Sequence, residues 1–205
     1  MLTKRLKVII ISVVIVFLFG ALLSKSREAI SCEMVEYLKF DRIEHHVYVS
    51  KDMSQSEREH FLELVKLSLA RVHQIYGLTR GQPIFIASTH ASSLKPYFLN
   101  EYGSTAFTPR RSCIAVGPNG MNIDVISHEL VHAEIFHIVG FWKRLFFIPT
   151  WFDEGVAMQV DFREKYVDHK FVGERNELVT IESLFYGFQF FAGDDYDLIN
   201  HGAAP

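Results

Sequence analysis

The chain has few cysteines and no excess of positive charge. Its 205 residues include only two cysteines, Cys32 and Cys113, and their spacing is not that of zinc ligands. In an exported protein they would form one disulfide, and two unpaired thiols are the alternative. The formal net charge is −3, so the composition gives no electrostatic reason to expect a nucleic-acid partner.

One long apolar run, Val8–Leu23, stands near the N-terminus. As a helix it would be about 24 Å long, slightly shorter than a hydrocarbon core of about 30 Å. The flanking Lys7 and Lys25 can extend it by snorkelling. The residues after it form no convincing cleavage site, which favours an uncleaved anchor over a signal peptide that would release a secreted protein. Basic residues before the run favour an N-terminus inside and a domain outside the cytoplasm.

These features divide the chain into three parts. We expect a membrane anchor or signal segment at residues 1–24, a mostly polar connector at 25–42 and one compact domain at 43–205. Phenylalanine is abundant, with 18 residues, which provides enough aromatic surface for a sizeable core. The expected localisation is therefore a membrane-anchored protein with an extracytoplasmic domain.

Helix and strand patterns are mixed within the domain and predict an α+β fold. One helix is expected to begin with a capping box formed by Ser56 and Glu59 and to end at Gly77. Short apolar or alternating segments predict strands at residues 45–50, 83–89 and 112–118. The remaining predicted elements are a short helix and turn at 91–103, a loop at 141–149 and a helix from about 152 to 163.

The sequence HELVH, residues 128–132, has the pattern of a metal site on a helix. His128 and His132 are four residues apart, so both imidazoles can face one metal ion. Glu129 lies about 100° round the helix from His128, near the ion without coordinating it, which is the position of a general base. A catalytic zinc needs a third protein ligand and one open position. Glu154, in the sequence WFDEGVA, is the best candidate for that ligand.

The residues around this motif support a buried helix. Asn122 or Asp124 can cap its start, and Gly140 can end it. Many positions between them are apolar, so the histidines and glutamates of the segment are expected to be buried. Buried polar groups need partners, and a metal ion is a suitable one. A pair of satisfied core histidines is the alternative interpretation.

HELVH followed by PTWFDEGVA resembles the gluzincins, the zinc metallopeptidases whose third ligand is a glutamate on a second helix. The second string is especially similar to that of the aminopeptidase type. The chain also resembles small membrane-anchored bacterial peptidase MA-like proteins, and the similarity covers about residues 112–162. It implies a zincin-like domain, in which a small mixed sheet has its edge strand, 112–118, over the HExxH helix.

The resemblance also implies a Zn2+ site and the roles of four residues, namely the ligands His128, His132 and Glu154 and the catalytic base Glu129. Thermolysin-like enzymes carry an aspartate one turn after the ligand glutamate, and it orients a ligand histidine. This chain has Met158 at that position. The partner of the histidine must therefore come from elsewhere, with Asp153, Asp161 or a backbone carbonyl as candidates.

A second departure concerns the substrate. Aminopeptidases hold the free amine of the substrate with an acidic residue in the strand before HExxH, and residues 112–122 contain no acid. This favours an endopeptidase. Glu101 and Asp124 are the acids that folding might bring to the cleft instead.

Other histidines and tyrosines have less defined roles. His137 does not fit the metzincin spacing, because Ile135 and Ile138 stand where that pattern requires glycine and histidine. It is expected to be packed or hydrogen-bonded. In gluzincins a Tyr or His from later helices often stabilises the oxyanion, and the candidates here are Tyr166, His169, Tyr186, Tyr196 and His201.

The expected function is zinc-dependent hydrolysis of peptide bonds by an anchored extracytoplasmic endopeptidase. Its partners would be a peptide or protein substrate and, through the N-terminal helix, a membrane. Two alternatives keep the same scaffold: a catalytically inactive zinc-binding module and a hydrolase of non-peptide substrates. The intact Glu129 argues against the inactive module, since a relic site is free to lose its base.

Overall fold

A computed structural model of the chain describes residues 27–38, 40–77, 79–97, 101–163, 185–186 and 189. These residues form a mixed α+β fold with a five-stranded sheet and six α-helices. The strands are β1 (Phe40–Glu44), β2 (Val47–Ser50), β3 (Ile84–Ala87), β4 (Gly103–Phe107) and β5 (Ser112–Val116). The helices are α1 (Arg27–Glu33), α2 (Gln55–Tyr76), α3 (Ala91–Leu94), α4 (Ile123–Val139), α5 (Phe141–Phe147) and α6 (Thr150–Met158).

The sheet is mixed, with the strand order β1-β2-β3-β5-β4. Strands β2, β3 and β5 are parallel, whereas β1 pairs antiparallel with β2 and β4 pairs antiparallel with β5. The α+β class is therefore confirmed. The prediction that strand 112–118 lies at the edge of the sheet is wrong. The corresponding strand, β5, lies between β3 and β4, and its five residues are all buried. The edge strand on that side is β4, which the sequence analysis did not identify.

Side chains of the inner strands alternate between two cores, as the two-residue period of a strand requires. Phe85 and Ile114 face the core formed with helices α2, α4 and α6. Ile86 and Ala115 face the opposite core, which also contains Tyr97 and residues from the N-terminal end of the described chain. Burial on both faces explains why these strands read as continuous apolar runs.

A disulfide joins Cys32 of α1 to Cys113 of β5, with their Cα atoms 5.9 Å apart. It resolves the choice between paired and unpaired cysteines. Both residues belong to the core on the face of the sheet opposite α4. The disulfide therefore binds the N-terminal helix to the central part of the sheet.

Several elements differ from the predicted ones, among them the helix expected at about 152–163, which is α6 (Thr150–Met158). The capping box of α2 is formed by Ser54 and Glu57, two residues earlier than expected, and Gly77 ends the helix as predicted. Helix α1 and strand β1 occupy most of the segment expected to be a polar connector. The predicted loop at 141–149 contains α5, because the chain turns at Gly140 and then resumes a helix.

Among the described residues, no helix is both long enough and apolar enough to cross a membrane. The predicted transmembrane helix is therefore not borne out by the described part of the chain. The longest helix, α2, carries charged residues along its length, for example Glu57, Arg58 and Lys66. The apolar run Val8–Leu23, which motivated the prediction, lies outside the described residues.

Candidate metal centre

Helix α4 carries the HELVH motif and has defined ends. The side chain of Asn122 caps it by accepting a hydrogen bond from the Val125 amide at 2.9 Å. Gly140 ends it with a φ of 80°, a left-handed conformation that glycine adopts without strain. Of the two predicted caps, Asn122 is confirmed. Asp124 instead forms an ion pair with Arg71.

Helix α6 packs against α4 and brings three potential ligands together. One nitrogen each of His128 and His132 and one carboxylate oxygen of Glu154 lie within 4.8 Å of one another. The Nε2 atom of His128 is 3.3 Å from Glu154 Oε2, and the Nε2 atom of His132 is 3.7 Å from Glu154 Oε1. The glutamate thus faces both imidazoles, and the group can hold a metal ion.

The opposite ring nitrogens of both histidines face aspartates. His128 Nδ1 lies 3.4 Å from Asp161 Oδ2, and His132 Nδ1 lies 3.1 Å from Asp153 Oδ2. A carboxylate behind each imidazole favours the ring orientation that directs Nε2 towards Glu154. The sequence analysis offered Asp153 and Asp161 as alternatives, and the structure uses one for each histidine.

Two arginines neutralise these aspartates. Arg144 of α5 forms an ion pair with Asp153 and also stacks over the Phe107 ring, with the guanidinium carbon 3.7 Å from the ring centroid. Arg163 forms an ion pair with the fully buried carboxylate of Asp161. Buried carboxylates need such partners because an isolated buried charge is very costly.

The electrostatics of the group favour positive charge between the carboxylates. Burial lowers the pKa of His128, but the carboxylates of Asp161, Glu154 and Glu129 outweigh it and raise the pKa to about 10. Burial raises the pKa of Glu154, but the adjacent His132 and His128 lower it by more, so the net shift is downward. Two imidazoles and a carboxylate, each imidazole backed by an aspartate, form a donor set that suits a divalent metal ion.

Glu129 lies next to this group and is held by the edge strand. Thr105 Oγ1 donates a hydrogen bond to Glu129 Oε2 at 2.8 Å, and it also lies 3.0 Å from the Glu129 carbonyl oxygen. The strand comes this close because residue 103 is a glycine. A Cβ atom there would be 3.0 Å from Val125 Cγ1 and 3.3 Å from Glu129 Cγ.

Contacts from α2 hold the two helices of the site together. The guanidinium of Arg71 donates to the Val160 carbonyl at 3.1 Å, besides its ion pair with Asp124 at the start of α4. The Tyr76 hydroxyl donates to the Val156 carbonyl at 2.6 Å. These bonds fix the C-terminal part of α6 and the segment that carries Asp161.

Several predicted candidates are not brought to the group. His137 is exposed, and the potential ligand set contains no fourth His, Cys, Asp or Glu among the described residues. Glu101 is exposed and accepts a hydrogen bond from Asn119. Tyr186 is 52% exposed. The other oxyanion candidates, Tyr166, His169, Tyr196 and His201, lie outside the described residues.

Sequence reasoning missed Thr105, Gly103 and Arg144. Thr105 and Gly103 lie on a strand whose sequence, GSTAF, gives only a weak strand signal. Arg144 lies in a segment that was expected to be a loop. Only the local arrangement of α5 and β4 shows that these residues support Glu129 and Asp153.

Comparison with other proteins adds no family to this description. Helix α4, helix α6 and the edge strand therefore have to be interpreted from their own geometry. The resemblance to gluzincins rests only on the residues of the two motifs. Searches against known protein families, curated proteins and solved structures find no match to this chain.

Proposed function

We propose that the chain is a zinc-dependent endopeptidase of the gluzincin type. The observation that supports this most directly is the position of Glu129 beside the His128–His132–Glu154 group. A purely structural metal site needs no such carboxylate next to its ligands. A hydrolytic site does, because a base must remove a proton from the attacking water.

The donor set supports zinc as the metal. Two histidines and one glutamate are the protein ligands of a recurrent class of catalytic zinc sites, and they leave one position open. When bound, zinc supplies Lewis-acid chemistry, lowering the pKa of water and polarising a carbonyl. The aspartates behind the histidines keep the imidazoles oriented and raise their basicity as ligands.

Glu129 acts as the general base in this proposal. Thr105 donates a hydrogen bond to the Oε2 atom of Glu129, and the remaining lone pairs of the carboxylate can accept the proton of water. The same carboxyl then donates that proton to the amine that leaves. Thr105 orients the carboxylate and does not itself exchange a proton.

The outer side of β4 supports an extended peptide as the substrate. No other described strand pairs with that side, so its backbone groups can add a peptide strand. A cavity of about 250 Å3 lies along it, lined by Thr105 and Phe107 of β4, by Glu28, and by Phe141 and Leu145 of α5. The aromatic and aliphatic walls would accommodate an apolar side chain of the substrate.

We also infer an extracytoplasmic location. Disulfides persist in oxidising compartments and are rare in the cytosol. The Cys32–Cys113 disulfide supports such a compartment.

A peptide-library assay tests the proposal. Purified protein should cleave internal bonds in mixed peptides, lose this activity in the presence of a chelator and regain it on addition of zinc. Metal content without cleavage of any peptide would indicate the inactive module. Cleavage restricted to esters or other non-peptide substrates would indicate the other hydrolase.

The choice between endopeptidase and aminopeptidase needs a second comparison. One peptide sequence is supplied with a free and with a blocked N-terminus, and similar internal cleavage of both is expected. Stepwise release of N-terminal residues from the free peptide alone would contradict the proposal. In that case Glu28→Gln would show whether the carboxylate in the β4 cavity holds the amine.

A further inference from the structure

A second cavity, of about 600 Å3, has walls rich in cationic side chains. We call it the basic cavity and define it by Arg42, Arg80, Arg110, Arg111, His45, His46 and His137. It lies at the turn between β1 and β2 and at the N-terminal ends of β3 and β5. Its walls include none of His128, His132 and Glu154. It is therefore separate from the candidate metal centre.

Most of the positive charge in the basic cavity is uncompensated. Arg111 lies 3.6 Å from Glu33. Arg42, Arg80 and Arg110 form no ion pair with any carboxylate of the described residues. The one acidic side chain in the wall, Glu36, accepts a hydrogen bond from the Tyr48 hydroxyl at 3.0 Å.

The β1–β2 turn places two histidines in the same wall. The rings of His45 and His46 stack with their centroids 4.0 Å apart. His46 has a φ of 64°, a left-handed backbone conformation that is uncommon for a residue other than glycine. Its carbonyl is fixed by a 2.8 Å hydrogen bond from the Phe85 amide. Burial lowers the pKa of His46, and the nearby His45, Arg111 and Arg42 lower it further, which reflects the positive field.

The backbone beside Arg80 is held in place by a buried carboxylate of α4. Glu134 accepts hydrogen bonds from the amides of Arg80 at 3.0 Å and Gly81 at 2.8 Å. A Cβ atom on residue 81 would lie 2.9 Å from Glu134 Oε1, so glycine permits this close approach. The wall of the cavity is thus a fixed part of the fold at this point.

We propose that the basic cavity binds a small soluble anion that carries two or more phosphate or carboxylate groups. The volume lies within the range of small-molecule sites. Guanidinium groups match phosphate and carboxylate oxygens in bidentate geometry. Several arginines that have no carboxylate partner in the described part of the chain favour a multivalent anion over a monovalent one. The site is independent of the proposed peptidase function.

Isothermal titration with pyrophosphate and with citrate tests this proposal, with chloride at equal ionic strength as the monovalent control. The variant is Arg80→Gln/Arg110→Gln. Its matched control is Lys51→Gln/Lys95→Gln, which removes the same charge from side chains that are exposed, as Arg80 and Arg110 are, but lie outside the cavity. Metal-free protein is used throughout, because both probes also chelate zinc.

At least one of the two anions should bind, and chloride should not compete at equal ionic strength. The arginine variant should bind that anion at least about tenfold more weakly, as expected for the loss of charge-assisted hydrogen bonds. The lysine variant should bind it as the wild type does. Binding of neither anion would overturn the proposal. Equal weakening in both variants would also overturn it, because the effect would then come from net charge alone. Circular dichroism of each variant establishes that the fold is retained.

Discussion

The Nδ1 atom of His132 lies 3.1 Å from Asp153, the residue that directly precedes Glu154 on helix α6. Neighbouring residues on a helix point about 100° apart. One carboxylate can therefore face the front of the imidazole pair while the other lies behind His132. A single short helix supplies both a potential ligand and a carboxylate behind another potential ligand.

Replacing His132 by Ala should remove the bound metal. The substitution deletes one of three ligands, and two ligands are too few for a stable zinc site. Metal analysis of the purified protein measures the effect, with His137→Ala as the control because His137 is exposed and outside the group. Full metal content in the His132 variant would disprove the ligand assignment.

Asp153→Asn should weaken zinc binding by roughly 10–100-fold, the usual effect of losing a carboxylate behind a ligand histidine. The amide is neutral and leaves Arg144 without its ion-pair partner. Competition with a fluorescent zinc chelator gives the affinity. Asp52→Asn, at an exposed aspartate away from α6, is the control. Equal affinities in the two variants would show that Asp153 does not support the metal.

Glu129→Gln should keep the metal and the fold but abolish most hydrolysis. The amide cannot take a proton from water, and general-base loss costs about 10²–10⁴ in rate. The measurement is kcat on a peptide that the wild type cleaves, together with metal content. A variant that turns over at the wild-type rate would exclude Glu129 as the base.

Thr105→Val should lower kcat by about tenfold with little change in metal content, because the variant loses one hydrogen bond to a charged group. Thr105→Ser retains the hydroxyl and should restore most of the rate. Comparing the valine and serine variants separates the effect of orienting Glu129 from the effect of side-chain packing on β4. If serine and valine are equally impaired, the hydrogen bond is not responsible.

Removing the disulfide should destabilise the domain by about 4 kcal/mol, because the Cys32–Cys113 bond closes a long loop. The bond spans a sequence separation of 81. Urea unfolding of the wild type and of Cys32→Ala/Cys113→Ala measures the loss. Added reductant should lower the stability of the wild type and leave the variant unchanged. An unchanged unfolding midpoint in the variant would argue against the bond.

The parts of the site that were predicted from the sequence depend on local patterns. The spacing of His128 and His132, the cap at Asn122 and the end of the helix at Gly140 involve residues within one element. The pairing of α4 with α6 was accessible because the two motifs resemble a known arrangement. Such features are encoded over a few turns of helix.

The features that were missed depend on contacts between distant segments. Strand β5 is internal because β4 pairs with its outer side. The sequence of β4 has a weak strand pattern, so this pairing was not predicted. The hydrogen bond from Thr105 to Glu129 follows from the same strand order. Helix α5 was predicted as a loop because Gly140 signals a helix end, although a new helix begins immediately after it.

The ligand set of the candidate metal centre is local along the chain. His128 and Glu154 are 26 positions apart, whereas the disulfide joins residues 81 positions apart. Because the entropy lost on closing a loop grows with the logarithm of its length, ligation is the less costly of the two closures. Zinc present during folding would therefore favour a route in which α4 and α6 associate before oxidation attaches α1 to the sheet.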